Sequence, residues 1–513
     1  METNERIQDR RDAAASRGGT PGTAAATAPP VPAPGALADL ARQVRGPVLA
    51  PGDEGYDDER SGFQVAHRHR PAVLVGAACA DDVAAAVRFA REHGLPVAVQ
   101  ATGHGLAAAT DGGLLIGTRR MSGVRVDAAA GTARVEAGTV WGTVVEEAAR
   151  HGLAPLNGSS PGVGVVSYTL GGGVGVLART FGFAADHVRS VDLVTADARQ
   201  RHLTATSDPE LFGALLGGGH GLGVVTAMEF GLLPVARVYG GQLVFGADRI
   251  DDALAAYLRW TGTVPDTLTS SVALITYPDL PQLPPSLRGR SLAQIRIAYT
   301  GSAREGEKLV APLRAVGPLA GDDLREMPYA ESHTIHRDPS DPHAYLGDNA
   351  LLSGLDAAAL RRVARLTGPD APVMCVVQLN HLGGALARPS VADAVGHRDA
   401  RFALRVLSPL DAGNPASDLR TARALHEAAL AEVAPWRLGR SVNFLLGDHG
   451  TRPDAAAVAR SAHGDDLHRR LAALKAAHDP ADIFRFHPLA AAGPAGAVSS
   501  PTSVAGDGHA EAP

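Results

Sequence analysis

The sequence predicts an α+β protein built in two parts. Three observations point there. In the first half short apolar strands alternate with amphipathic helices, from about residue 236 strands and helices come in separate runs, and most glycine-rich segments fall in the first part. Separate runs favour a sheet with its helices gathered on one face. With 513 residues, 45% of them hydrophobic, the chain is long enough for more than one domain and a large core.

The elements follow in order. Residues 1–36 are rich in Ala, Thr, Gly and Pro, carry no apolar period and are expected to be disordered, as is the tail 490–513. AVLVGAA (72–78) is the first apolar strand. DDVAAAVRFAREHGLP is a helix opened by Asp81 or Asp82 as a cap, with Val83, Ala86, Val87 and Ala90 on one face and Gly94 and Pro96 as its stop. PVAVQ (96–100), GLLIG (113–117), GVRVD (123–127) and TARVEAG (132–138) continue as short strands. WGTVVEEAARHGL (141–153) is a second helix, again closed by a glycine. VDLVTAD (191–197) and the stretch 221–232 resume the strands.

In the second part GGQLVF (240–245), SVALITY (271–277), QIRIAYTG (294–301) and MCVVQLNHLGG (374–384) predict strands of another sheet. GLDAAALRRVARLTG (354–368) and LRTARALHEAALAEV (419–433) are helical. The last helix, DDLHRRLAALKAAHD, places Leu467, Leu471 and Leu474 on one stripe and ends at Asp479–Pro480.

Composition narrows the function. The formal net charge is −6, which gives no reason to expect a nucleic-acid partner. Nearly all positive charge is arginine, the lysines being Lys308 and Lys475. Cys79 and Cys375 are far apart, match no metal spacing and make no disulfide framework, so a reducing compartment is expected. Arg10–Arg11 is not followed by an apolar segment of signal-peptide kind, and no apolar run is long enough to span a bilayer. A soluble, cytoplasmic protein with no membrane partner is the expectation.

Four segments carry the chemistry: QATGHGLA (100–107), NGSSPGVGVVSYTLGGGVG (157–175), LLGGGHGLGVVT (215–226) and SVNFLLGD (441–448). Glycines let backbone approach a ligand and turn N–H groups toward phosphate oxygens, which suggests a large cofactor with a pyrophosphate. Composition alone is equally satisfied by tight turns. GVGVVS (162–167) nearly matches the dinucleotide fingerprint G-x-G-x-x-G, but Ser167 stands at the third glycine and the preceding LNGSSP reads as a turn. A nicotinamide site of that type needs a strand before and a helix after.

Taken in order, the motifs resemble the FAD-linked oxidase family of berberine bridge enzymes and 6-hydroxynicotine oxidases. They are PGDEGYDDERSGF (51–63), ACADDVAAAVRFAREHGLPVAVQATGHG (78–105), SPGVGVVSYTLGGGVGVLARTFGFAADHV (160–188), DPELFGALLGGGHGLGVVTAMEF (208–230), then VNFLLGD and LKAAHDPADIFRFHP. The resemblance spans roughly residues 45–489. It implies a PCMH-type FAD-binding domain of two subdomains over residues 37–235, a substrate domain over 236–438 whose antiparallel sheet is covered by helices, and a segment 439–489 returning to the FAD domain.

The resemblance also implies site residues. His104 matches the family histidine bonded to the 8α-methyl of the flavin, a role that suits a neutral imidazole near pH 7. Its alternatives are a solvated turn histidine or a noncovalent contact. Ser160 stands where many relatives carry a second, cysteine link, so a single bond through His104 and a lower flavin potential are expected. Gly103 and Gly105 are expected beside the pyrophosphate region, and Ser160, Gly164 and Val165 along the flavin and its ribityl chain. Gly171, Gly172 and Gly175 continue that wall, Val225 lies near the adenosine and Asn443 near the ring.

The sequence departs from the family at the catalytic base. Ser441 and Phe444 replace the tyrosines flanking the asparagine. Candidate replacements are His381, Tyr329, Asp448 and His449, with His381 preferred for its intrinsic pKa. Each has a structural alternative. Gly221 and Leu222 replace Asn-Phe, and Leu216 stands where many relatives carry arginine. The expected function is an FAD-dependent oxidation of a small molecule. Hydride is taken from a C–H next to an alcohol or amine, O2 is the acceptor, and secondary metabolism is the setting. The alternatives are a flavin-binding protein of low turnover and a nicotinamide enzyme.

Overall fold

A computed structural model describes residues 32–486, apart from 107, 108, 220, 282, 286, 389–393 and 412. The expected disorder of residues 1–31 and of the tail falls outside the described residues, as does the end of the segment 439–489. Residues 34–36 depart from that expectation. They begin the helix Pro34–Ala41, where Pro34 takes the first helical turn and Leu40 is buried.

Three sheets organise the chain. The first contains β1 (Val48–Leu49), β2 (Val73–Gly76), β3 (Val97–Gln100) and β4 (Leu114–Gly117), in the order β1-β2-β4-β3. Strands β2, β4 and β3 run parallel. The apolar runs VLVG and LLIG are buried at every position, as parallel strands covered on both faces require. The helix Ala80–Glu92 links β2 to β3 and buries Val83, Ala86, Val87 and Ala90 against this sheet. Neither aspartate caps it. Cys79 is the N-cap without a side-chain bond, and the Asp82 carboxylate instead accepts from the backbone N–H groups of Arg45, Gly46 and Ala78. Those bonds hold the carboxyl below its usual range against the opposing effect of burial.

The second sheet holds β5 (Val124–Asp127), β6 (Thr132–Glu136), β7 (Val188–Val194), β8 (Gln200–Thr204) and β9 (Val224–Gly231), antiparallel in the order β5-β6-β9-β7-β8. The segment before GVGVVS carries no strand, and the helix that follows, Val165–Leu170, is short. The strand–turn–helix context of a nicotinamide fingerprint is therefore missing.

The third sheet is antiparallel. It comprises β10 (Arg237–Gly246), β11 (Leu268–Thr276), β12 (Ser291–Tyr299), β13 (Gly321–Asp322), β14 (Arg325–Pro328), β15 (Tyr345–Leu352), β16 (Val376–His381), β17 (Phe402–Pro409) and β18 (Arg437–Gly439). Helices Ile250–Thr261, Ala303–Arg314, Ala357–Leu366 and Pro415–Ala431 pack on one face, where Ala293, Ile295 and Ile297 of β12 join the core. The alternate residues Leu292, Gln294 and Arg296 face the other way, into a cavity. The chain end then returns to the first sheet. Val97 N–H donates to the Ile483 carbonyl at 2.6 Å, and Ile483 and Phe484 pack among the residues of that core.

Candidate active site

A cavity of about 980 Å³ lies between the first two sheets and the free face of the third. The turns around residues 98–106, 158–176, 223–225 and 442–446 line one side of it. The two glycine-rich segments meet there. A Cβ on Gly162 would lie 3.6 Å from His104 Cε1, and one on Gly164 would lie 3.6 Å from both Ala101 Cβ and Thr102 Oγ1. Glycine is sterically required at two points of this wall. Gly103 has φ +72° with Gly62 Cα 2.8 Å from its Cβ position, and a Cβ on Gly175 would meet the Asn157 carbonyl at 2.4 Å.

His104 lies at the cavity wall. Its ring stacks on Phe63 with centroids 3.8 Å apart, and Nδ1 is 2.9 Å from Thr102 Oγ1. Its backbone carbonyl accepts from the Tyr345 hydroxyl at 2.7 Å. Nε2 is buried without a partner. Burial, with a smaller effect of His343, pushes the imidazole pKa down to about 4, so the ring is neutral near pH 7.

Of the other residues expected at a cofactor, Gly103, Gly105, Ser160, Gly171, Gly175, Val225 and Asn443 line the cavity. Asn443 Nδ2 donates to the Tyr168 carbonyl at 2.9 Å, and a Cβ on Gly171 would overlap Asn443 Oδ1. Gly164, Val165 and Gly172 do not line it. Gly164 caps the helix Val165–Leu170, Val165 is fully buried in the core, and Gly172 (φ +99°) turns toward Phe183 and Val395.

The candidate bases are corrected by their surroundings. Tyr329 is buried outside the cavity lining, with its hydroxyl 2.7 Å from Asn157 Oδ1 and 3.0 Å from the Pro155 carbonyl. Burial raises its pKa, so it packs as a neutral phenol. His381 touches the cavity but stacks on Phe402, and Arg179 donates to its Nε2 at 2.9 Å. Burial and the charges of Arg179 and Arg401 push its pKa to about 3, which makes it a poor base at neutral pH. Asp448 is paired with Arg423, His449 is 2.8 Å from the Gly347 carbonyl, and neither lines the cavity.

The strand pattern concealed another set. Gln242, Gln294, Arg296, Gln378, Asn380 and Arg405 present a polar surface to the cavity from β10, β12, β16 and β17. Arg296 donates to Gln294 Oε1 at 2.9 Å and to Gln378 Oε1 at 3.3 Å, and lies 3.5 Å from His336 Nδ1. Asp338 accepts from the Ser159 hydroxyl. Burial opposes its charge, but His336, Ser159, Arg296 and Arg405 together hold its carboxyl below the usual range. Burial and the two arginines push His336 to about 3. The available signal was alternation: polar residues recur at every second position of a strand whose other face is apolar.

Such an enclosure suits a long ligand with an apolar ring system and a phosphate-bearing end. The 98–106 and 158–176 segments offer glycine-rich backbone, and the unpartnered atoms His104 Nε2 and Tyr168 Oη await a ligand. The FAD binding domain family matches residues 71–204, the part of the chain that builds this wall. Residues 71–204 thus carry an FAD binding domain, and the chain as a whole is similar to FAD-linked oxidases with a PCMH-type FAD-binding domain.

Similar proteins match most of the chain. The (R)-6-hydroxynicotine oxidase of Paenarthrobacter nicotinovorans is 27% identical over 465 residues, which is 86% of this chain and 96% of that protein. The crystal structure of 6-hydroxy-D-nicotine oxidase from Arthrobacter nicotinovorans superposes with a TM-score of 0.75 at 25% identity, covering 87% of this chain and 97% of that one. A xylooligosaccharide oxidase from Myceliophthora thermophila, solved with xylobiose, shares the fold with a TM-score of 0.75 at 21% identity, covering 89% and 98%. The protein is an FAD-dependent oxidoreductase. Within the family, FAD would be held by the backbone of residues 100–105 and 158–175, with Val225 and Asn443 on the same wall.

Proposed function

We propose that the protein is an oxidase that holds FAD through one covalent bond from His104 and oxidises a small molecule at a C–H next to an alcohol or amine, with O2 as acceptor. The observation that carries this reading is the neutral imidazole of His104, with one ring nitrogen held by Thr102 and the other buried without a partner at the wall of a flavin-sized cavity. Bound FAD supplies a two-electron acceptor for hydride and a site for reoxidation. The chain does the rest. Phe63 and Thr102 fix the plane of the His104 ring. Ser160 offers no thiolate for a second bond. The third sheet roofs the site and keeps the substrate against the first wall.

Proton removal falls to few groups. Tyr345 is committed to the His104 carbonyl, and burial raises its pKa. Asp338 is the one carboxylate at the cavity among the described residues, and it accepts a proton poorly because its neighbours favour the anion. An amine that reacts as the neutral species needs no base, and that substrate class suits this site best. The paired absence of tyrosines at Ser441 and Phe444 motivates a second reading, a flavin carrier of low turnover. The free thiols Cys79 and Cys375 support a cytoplasmic setting.

Acid precipitation of the purified protein tests the attachment. Yellow colour should stay in the pellet, and peptide mass mapping should place the adduct on the peptide with His104. A His104→Ala protein that keeps its flavin through precipitation would contradict the bond. Anaerobic mixing with amine and alcohol panels, then exposure to air, separates the two readings: an oxidase is bleached by a donor and recovers with oxygen uptake, a carrier is not.

A further inference from the structure

The cavity is charged against the trend of the molecule. The protein has a formal net charge of −6, yet among the described residues Arg290, Arg296, Arg337 and Arg405 line the cavity with one carboxylate, that of Asp338. None of these arginines lies in the glycine-rich segments 98–106 and 158–176, which contain no Arg or Lys. Their charge is therefore displaced from the backbone wall that suits a pyrophosphate. Arg337 is engaged by Asp323. Arg296 is bonded to neutral groups, the amides of Gln294 and Gln378, and approaches the His336 ring. Arg405 rests with its guanidinium 3.8 Å from the centroid of the Phe444 ring.

Strand pairing sets these groups side by side. Gln242, Arg296, Ser271 and Asn380 are successive partners across β10, β12, β11 and β16. One row along, Gln378 is the strand partner of Arg405, and its side chain accepts from Arg296, so it stands between the two cations. Gln242 Oε1, Ser271 Oγ and Arg296 Nε are all buried without a partner. Buried polar atoms are seldom left unpaired in folded proteins, so three in one row point to a missing polar ligand. Beyond this row the wall turns apolar with Leu292, Ile275, Val376 and Leu407.

We propose that this row is a carboxylate-binding subsite, in which Arg296 and Arg405 hold the anionic group of a substrate whose remaining body is apolar. The inference deepens, and rests on, the oxidase reading of the same cavity. Guanidinium groups present donors in a fork that matches a carboxylate. Burial weakens both cations, Arg405 to about 10, and a bound anion restores the charge balance that Asp338 provides only once. The Ser271 hydroxyl donates to the anion, the Gln242 Oε1 acceptor takes a donor elsewhere on the substrate, and the apolar row receives the rest of the molecule.

The test uses benzoate and its uncharged isostere benzamide on the flavin-loaded protein, read by flavin difference spectra and by calorimetric titration. Benzoate should bind at least about 10-fold more tightly than benzamide, and Arg296→Met and Arg405→Met should each weaken benzoate by about 10-fold while leaving benzamide unchanged, because a lost charge-assisted pair costs that much or more. Equal binding of the two probes, or benzoate binding that survives both substitutions, overturns the proposal. If a variant loses its flavin or its melting transition, the wild-type preference decides alone. Failure of the oxidase reading looks different: benzoate is preferred, but no donor bleaches the flavin. Bleaching by neutral donors without any carboxylate preference retains the oxidase and removes the subsite.

Discussion

His104 owes its character to its neighbours more than to its type. Burial keeps the ring neutral, Thr102 orients it and Phe63 stacks on its face. If it is the attachment point, flavin incorporation into apoprotein should be constant from pH 8 to about 5.5 and fall as pH approaches 4, where the imidazole gains its proton; retained visible absorbance after precipitation measures it. Tyr329 gives the opposite case. Its hydroxyl serves Asn157 and Pro155 away from the cavity, so Tyr329→Phe should leave turnover and flavin spectrum unchanged and cost about 1–3 kcal/mol of stability, read by denaturant melts. A loss of turnover without a loss of stability would return Tyr329 to the chemistry. Both residues were visible in the sequence, but burial and partners assign their roles, and those come from distant segments.

At the scale of elements, the glycine-rich wall is built by close approach. Gly175 sits against the Asn157 carbonyl, so Gly175→Ala should shift backbone, cost about 1–3 kcal/mol and lower the fraction of protein that carries flavin. A variant with wild-type melting and full flavin content would show that this contact does not shape the wall. Asp82 makes a similar point for the first sheet. Its carboxylate gathers three backbone N–H groups, that of Ala78 just before the helix and those of Arg45 and Gly46 in the segment leading into β1, so Asp82→Asn should lower the thermal midpoint and weaken its acid dependence. The helix itself was readable from its 3.6 period. The role of Asp82 was not, because a cap and a loop clamp look alike in one dimension.

At the scale of the whole molecule, buried histidines set the pH response. His69, His426 and His463 are pushed by burial to about 4 from an ordinary value near 6.5. They are neutral in the fold and take up protons more readily when unfolded. Their contribution to stability is therefore complete above pH 6.5 and is lost as pH falls through 4, each decade of proton affinity being worth about 1.4 kcal/mol. The thermal midpoint should drop steeply between pH 6.5 and 4 and stay level from 7 to 8. A flat midpoint down to pH 4.5 would mean these histidines protonate within the fold. No helix among the described residues is long and apolar enough to cross a membrane.

The sequence by itself determined the fold class, many of the strands and helices, the glycine-rich segments and the resemblance to flavin-linked oxidases, because period, turn chemistry and motif order are local properties of the chain; β15, β17 and the helices Ile250–Thr261 and Ala303–Arg314 came only with the structure. It also exposed the missing tyrosines at Ser441 and Phe444. Only the tertiary structure decided which glycines face the cavity, that Gly164, Val165 and Gly172 do not, and that His381 lies under Arg179. Only it brought Arg296 and Arg405, on strands far apart in sequence, to one polar floor with Gln378 between them. The physical reason is that charge, burial and hydrogen-bond partners are set by neighbours in space, and strand pairing chooses those neighbours after the local pattern has been fixed.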